Sequence, residues 1–288
     1  MRRHVDISHP DKMLFTEIGW TKQSVVDFYS DLADFLLPHL KNRPVVAQCF
    51  PDGVDEKGYY QQEAPSHYPE WIKTIDVKRK EKSPQKMLEI HTRSALKFVV
   101  NQNGISFHTW KSRQDHLNNP DLLIYDLDPS GSDFSKVVRA AKKLKGFIEE
   151  LGGTPYVMTT GSKGLHIVVP IQPKNSYKEV RQTAKEIAQE FIERHPDLAT
   201  IEMRKEDRKG RIFLDYLRNS YGQTTVSPYS LRPLAHAPVA TPLAWDELTS
   251  KLTPQTYHGR NIFRRLAQKE DPWGSLYRSR CSLKRIQI

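Results

Sequence analysis

The sequence predicts an α+β fold with α/β-like character, in which a sheet is flanked by helices. Two observations predict it. Between residues 122 and 217, apolar runs of strand length alternate with two longer segments of helical period. Upstream, short runs are separated by Gly, Pro and Asp turns, the mark of hairpin-like returns. A chain of 288 residues with 38% hydrophobic content suits one or two domains with a real core.

Taken in order, residues 21–40 read as an amphipathic helix. Val25, Phe28, Tyr29, Leu32, Phe35 and Leu36 recur at helical spacing, and Thr21 caps the start. Residues 43–62 read as two strands around the turn Pro51-Asp52-Gly53. The Lys-rich stretch from Lys73 to Lys86 reads as a solvated loop or hairpin edge, with nucleic-acid contact as the alternative. Ile105 to Trp110 alternate as a strand, and Leu122 to Asp128 form another, ended by Pro129. A helix runs from about Ser132 to Leu151, with Gly152 as its stop. Tyr156–Met158 and Leu165–Val169 read as strands about the turn Gly161-Ser162-Lys163-Gly164. Ser176 and Glu179 form a capping box for the next helix, and Pro196 lies past its end. Residues 211–217 read as a further strand. The last forty-odd residues are helical in patches and end in a basic tail.

Composition narrows the partners. Lys plus Arg number 44 against 34 Asp plus Glu, a formal charge of +10, which reads as a surface for a polyanionic partner or as a merely basic protein. Cys49 and Cys281 have neither metal-type spacing nor a disulfide framework, so a reducing compartment is expected, and with it a cytoplasmic location. No secretory signal and no membrane-length apolar window is read.

The chemistry is sharpest at Asp126 and Asp128. Alternate residues of a strand share a face, so the two carboxylates point the same way and repel unless a cation neutralises them. A divalent ion with oxygen ligands is the usual remedy. Asp215 lies in an apolar strand with Phe213 and Leu217 on its face. It is either salt-bridged to a nearby arginine or a third ligand beside the other two. Three carboxylates can hold two metal ions, a device for in-line phosphoryl displacement. The segment from Thr159 to His166 carries Thr160, Ser162 and Lys163 around two glycines. It reads as a phosphate cradle or as a plain β-turn, and His166 as a site residue or a structural histidine. His108 reads as an exposed polar residue or a ligand of the site. Arg208, Arg211, Arg218 and Arg232 gather in sequence around Asp215 and together suit a triphosphate. Tyr59 and Tyr60 follow Gly58; one of the pair is expected in the core, the other as a stacking platform for a base. Lys12 and Lys22 flank the first helix and read as ordinary exposed lysines or as receivers of a terminal phosphate.

In combination these motifs resemble the polymerase domain of bacterial ligase D, in the archaeo-eukaryotic primase superfamily. The resemblance runs from His9-Pro10-Asp11-Lys12 to Trp245-Asp246-Glu247-Leu248. It rests on Asp-Leu-Asp-Pro at 126–129, Gly-Ser-Lys-Gly-Leu-His at 161–166 and Phe-Leu-Asp-Tyr-Leu-Arg-Asn at 213–219. Tyr229-Ser230-Leu231-Arg232 and Thr241-Pro242-Leu243 also match. The resemblance implies a primase-polymerase fold of mainly antiparallel sheets, with an N-terminal module at 1–105 contacting DNA ends, an RRM-like catalytic module at 106–250, and a helical, basic tail at 251–288. It implies Asp126, Asp128 and Asp215 as ligands of two divalent metal ions, Mn2+ or Mg2+. His108, Thr160, Ser162, Lys163, His166, Arg218 and Arg232 would surround a nucleoside triphosphate. Lys12 and Lys22 would meet a downstream 5′-phosphate, and Tyr59 and Tyr60 would stack on template.

The implied activity is templated nucleotide addition at DNA gaps and double-strand ends, with a preference for ribonucleotides, beside Ku and a DNA ligase in end joining. No ligase or nuclease segment is read, so the chain is a stand-alone polymerase or an excised fragment. One departure stands out: the family carries Arg or Lys where this chain has Gln48. Two rivals compete with this reading. A haloacid-dehalogenase-like phosphatase would use Asp126 as nucleophile and Asp128 as general acid, but about 120 residues precede its motif here. A non-catalytic DNA-end binder leaves the three aspartates unexplained.

Overall fold

The computed structural model describes residues 3–79, 82–131 and 133–288. In chain order the elements are β1 (Met13–Phe15), β2 (Trp20–Thr21), α1 (Lys22–Leu40), β3 (Val45–Cys49), β4 (Tyr59–Gln61), β5 (Thr74–Arg79), β6 (Lys82–Leu88), α2 (Arg93–Asn101), β7 (Gly104–Thr109) and β8 (Leu122–Asp128). Then follow α3 (Phe134–Glu150), β9 (Tyr156–Thr159), β10 (Leu165–Pro170), α4 (Tyr177–Arg194), β11 (Ala199–Thr200), β12 (Ile212–Asp215), β13 (Thr225–Val226), β14 (Pro242–Leu243) and α5 (Ile262–Gln268). The α+β class is met, and the named strands pair antiparallel except β11 with β12.

The chain divides into two compact units. Unit 1 comprises residues 1–117, 224–240 and 257–265, and unit 2 comprises 118–223, 241–256 and 266–288. The modules implied by the resemblance are contiguous, whereas these units are not. Strand pairing is the reason: β13 joins the edge of β7, which carries residues beyond 223 back into unit 1.

In unit 1 the sheet order is β13-β7-β3-β6-β5, with β4 also on β3. Helix α1 forms because its N-terminal hydroxyls close a reciprocal box. Thr21 Oγ1 accepts from Ser24 N, and Ser24 Oγ accepts from Thr21 N, both at 3.3 Å. Thr21 is therefore the cap rather than the first helical residue. Val25, Tyr29, Leu32 and Leu36 on one face of the helix are wholly buried. The Lys-rich stretch forms the hairpin β5–β6, with Ile75, Val77 and Met87 turned inward between exposed Asp76 and Lys78. Lys80 and Glu81 within that stretch lie outside the described residues, as do Met1 and Arg2 of the N-terminal reading.

In unit 2 the order is β11-β12-β8-β10-β9-β14. Leu123, Tyr125 and Leu127 of β8 alternate with Ile124, Asp126 and Asp128. The first set meets the helices: Tyr125 Oη donates to Ala184 O of α4 at 2.9 Å. Helices α3 and α4 share that face, since Phe147 and Phe191 lie 6.0 Å apart. The acids therefore occupy the opposite face. The expected α3 start, Ser132, lies outside the described residues; Phe134 is the first helical residue and Asp133 caps it. The α4 capping box forms as the sequence spells it, with Ser176 N donating to Glu179 Oε2 at 2.7 Å and Glu179 N to Ser176 Oγ at 3.3 Å. In the C-terminal segment Trp273, Leu276, Leu283 and Ile286 are buried, and Trp273 Nε1 donates to Val157 O at 3.0 Å.

The expected strand 211–217 is shorter than read. It ends at Asp215, and Leu217–Asn219 turn into a 3-10 helix, so Leu217 does not share a strand face with Asp215. Asp215 Oδ1 accepts from Leu217 N at 2.9 Å, and that bond closes the turn.

Candidate active site

Antiparallel register aligns the acids of unit 2. Asp215 of β12 stands directly opposite Asp126 of β8, and on the other flank of β8 His166 of β10 stands opposite the same residue. Residues paired across antiparallel strands project to one face, so His166, Asp126 and Asp215 form a row, with Asp128 two residues along the same face. His166 Nε2 lies 3.5 Å from Asp126 Oδ1. Arg218, one 3-10 turn past β12, sets its Nε 3.0 Å from Asp215 Oδ2 and 3.7 Å from Asp126 Oδ2. Of the two readings of Asp215, the salt bridge to an arginine is thus present, and so is the alignment with the other two acids.

The cluster is electrostatically costly. Burial pushes the Asp128 carboxyl up to about 6, and the charges of Asp126 and Asp215 push the same way against the opposing pull of His166 and Arg218. A set of three carboxylates and no thiolate fits a hard divalent cation such as Mn2+ or Mg2+. Among the described residues no group of three or more His, Cys, Asp or Glu side chains is gathered closely enough to hold a metal ion. Arg218 supplies the positive charge between Asp126 and Asp215.

The glycine-rich turn is built tightly against the acid strand. Gly161 has φ +67°, a left-handed conformation that suits glycine. A Cβ on Gly164 would stand 2.2 Å from Leu127 O and 3.5 Å from Asp128 Oδ1, so only glycine fits there. Thr160 Oγ1 accepts from Ser162 N at 3.3 Å and from Gly164 N at 3.2 Å. Two backbone donors expected to face an anion are therefore turned onto Thr160. Thr160 is buried, Ser162 is half-buried and Lys163 is exposed.

Asn219 is a positioning residue whose role the sequence reading missed. Its Oδ1 accepts from Ile124 N at 2.8 Å and its Nδ2 donates to Ile124 O at 2.7 Å. The side chain thereby imitates a strand neighbour for β8 just beyond the end of β12. Its signal in the sequence was its place in the 213–219 motif.

Arg208 and Arg211, also in unit 2, donate to backbone carbonyls, Arg208 Nε to Glu202 O at 3.0 Å and Arg211 Nε to Arg208 O at 2.9 Å. The remaining predicted residues belong to unit 1. His108 is buried on β7 rather than on an exposed strand face. Its Nε2 lies 3.3 Å from Ser106 Oγ, and its ring meets Tyr60 edge-on at 5.7 Å. Both Tyr59 and Tyr60 are about half exposed, at 48% and 54%, so neither enters the core as one was expected to. The cause is that β4 pairs with β3 alone and lies off the main path of the sheet. Gln48 stands opposite both Tyr60 and Ser106, and its Oε1 is buried without a hydrogen-bond partner. Arg232 is half-buried and its backbone N–H donates to Pro238 O at 2.7 Å.

Lys12 and Lys22 are brought together by the backbone bond from Lys22 N to Lys12 O at 2.8 Å. Lys22 is buried, and its Nζ donates to Asn101 O at 3.0 Å. Burial, and then the charge of Lys12, hold the Lys22 ammonium below the usual lysine range. Lys12 Nζ pairs with Asp52 at 3.1 Å.

Three carboxylates on one face of an antiparallel sheet, with helices behind it, define an α+β protein with an acidic site. The family model "LigD, primase-polymerase domain" matches residues 21–273, and the chain belongs to that family. It is 31% identical over 275 residues to the multifunctional non-homologous end joining protein LigD of Mycolicibacterium smegmatis, covering 94% of this chain and 35% of that protein. It is likewise 31% identical over 290 residues to the bifunctional non-homologous end joining protein LigD of Bacillus subtilis, covering 96% and 46%. The fold matches the polymerase domain from Mycobacterium tuberculosis ligase D, solved in complex with DNA, with a TM-score of 0.90 and 26% identity over 97% of this chain and 100% of that one. The chain thus spans about a third to a half of the length of these curated relatives. Among the described residues no helix is long and apolar enough to cross a membrane.

Proposed function

We propose that this chain is a template-dependent nucleotidyltransferase that fills gaps and extends ends in DNA double-strand break repair. The observation that carries the proposal is the row formed by Asp126 and Asp215, with Asp128 on the same face. Family membership supplies the reaction class, and the names of the relatives supply non-homologous end joining. The antiparallel neighbours on both flanks of β8, together with the family, leave the phosphatase reading without support.

Asp126, Asp128 and Asp215 would hold two divalent ions. Bound there, such ions lower the pKa of an attacking 3′-hydroxyl and neutralise a leaving pyrophosphate. The protein's own contribution is positioning and charge. The β8–β12 register fixes the spacing of the acids, and His166 braces Asp126. In unit 2, Lys163 and Arg218 would offer cationic donors to a triphosphate, with Thr160, Ser162 and His166 as further nucleotide residues; in unit 1, His108 and Arg232 are the nucleotide residues. Lys12 and Lys22 bind the 5′-phosphate downstream of a gap, and Tyr59 and Tyr60 stack on template. Partnership with Ku and a DNA ligase, a preference for ribonucleotides and Mn2+, and a place beside the nucleoid follow from the same reading.

Extension across a short gap bearing a downstream 5′-phosphate tests it, comparing ribo- with deoxyribonucleotides and Mn2+ with Mg2+. Wild type extends, ribonucleotides and Mn2+ give the faster reaction, and Asp126→Ala abolishes it while leaving DNA affinity within about twofold, because affinity rests on distributed phosphate contacts. Extension by a folded Asp126→Ala, Asp128→Ala double variant contradicts the proposal.

A further inference from the structure

The group between Asp126 and Asp215 in unit 2 is a guanidinium. Arg218 Nε reaches both carboxylates, at 3.7 and 3.0 Å. The resemblance implies Arg218 beside nucleotide phosphates; in this structure it pairs with Asp126 and Asp215. The three side chains differ in exposure, 39% for Arg218 against 13% for Asp126 and 11% for Asp215. Arg218 thus reaches in from the rim, while the carboxylates are held from behind. Asp215 is fixed further by the N–H of Leu217. The arginine rises from a 3-10 turn and not from the strand, so rotation about its own torsions removes it without disturbing the β8–β12 register.

This arrangement has an electrostatic consequence. Arginine stays charged at any working pH, so it leaves only by moving and not by losing a proton. A divalent cation that approaches Asp126 and Asp215 meets a fixed positive charge a few ångströms away, on oxygens that already have a partner. The repulsion between +2 and +1 at about 5 Å is worth more than a tenfold change in affinity even at the dielectric of water. The partner is nonetheless useful, because without it three carboxylates on one face repel one another through a partly desolvated site.

We propose that Arg218 is a resident counter-ion that competes with the divalent cation for Asp126 and Asp215, and that it sets the cation affinity of the free protein. The proposal rests on the reading of these acids as metal ligands. Arg218 is in this respect a positioning residue: it holds the carboxylates aligned at rest and yields them on loading.

The test is titration of the full chain with Mn2+, followed by the electron paramagnetic resonance signal of the free ion. Wild type is compared with Arg218→Gln, Arg218→Met, Arg218→Lys and Asp126→Asn. Both neutral variants should bind Mn2+ about tenfold more tightly, and Arg218→Lys should stay within about twofold of wild type. In EDTA the neutral variants should melt below wild type, with added Mn2+ closing the gap; a merely structural arginine would lower stability without tightening metal. Equal or weaker Mn2+ binding by both neutral variants overturns the proposal, as does tightening by the lysine variant. Loss of binding in Asp126→Asn with no change at Arg218 sinks this inference alone. Wild-type binding by Asp126→Asn, or binding by no form of the protein, sinks the metal reading and the inference together.

Discussion

Asn219 offers the sharpest test of how the acid strand is held. The substitution is Asn219→Ala. The side chain is 1% exposed and makes three bonds: from Ile124 N at 2.8 Å, to Ile124 O at 2.7 Å and to Tyr216 O at 2.8 Å. Alanine leaves the N–H and C=O of Ile124 without this partner, in a residue that is itself 4% exposed. Each buried group so stranded costs about 1–3 kcal/mol, which gives a loss of roughly 2–6 kcal/mol for the two, toward the low end if water enters. Urea denaturation at pH 7 measures it as a lower midpoint at unchanged slope. The loss should also reduce gap filling more than the folded fraction accounts for, because Ile124 lies two residues before Asp126 and the bond fixes the strand there. A loss below about 1 kcal/mol, with activity unchanged, would refute the view that Asn219 stands in for a strand neighbour.

Gly164→Ala should be worse than an ordinary turn substitution, since its Cβ meets the carbonyl of Leu127 at 2.2 Å and backbone must shift. A drop of about 2 kcal/mol or more, read by thermal melting, is expected, with catalysis falling beyond it because the displaced backbone adjoins Asp128. His39 is buried, and burial first, then the charges of Arg43 and Arg113, hold its pKa down to about 3. Its unfolded form takes up a proton near pH 6.5 and the folded form does not, so its stabilising contribution is complete above pH 6.5 and is lost as pH falls toward 3. Urea midpoints at pH 7, 6 and 5 should therefore fall in wild type and fall less in His39→Gln, the difference approaching 1.4 kcal/mol per pH unit below about pH 6. Lys22→Met should remove most of the preference for 5′-phosphorylated over unphosphorylated gaps, by about tenfold in relative affinity, while extension on an open primer–template persists.

What the sequence disclosed was governed by local physics. The cap of α4 was legible because Ser176 and Glu179 carry both halves of their motif within four residues. The shared face of Asp126 and Asp128 was legible because strand periodicity is two. Their alignment with Asp215 depends on register between distant strands, and no local pattern encodes that; the family motifs carried it instead. Leu217 was misread because an apolar run reads as strand until a side chain intervenes, here the Asp215 carboxylate accepting from the N–H of Leu217. The tyrosine pair departs from the reading because strand alternation predicts one buried face only for a strand set within a sheet, and β4 pairs with β3 off its main path. The two-residue strands β13 and β14 are too short to leave a periodic trace, yet β13 is what returns the chain to unit 1.

The account depends on carboxylates from two strands holding divalent ions. Crystals grown with Mn2+ and a nucleoside triphosphate, measured at a wavelength where manganese scatters anomalously, locate those ions directly. The account predicts anomalous peaks within bonding distance of Asp126, Asp128 and Asp215, with Arg218 turned away. Manganese bound elsewhere, or none on these three side chains in a crystal that holds the nucleotide, would contradict it.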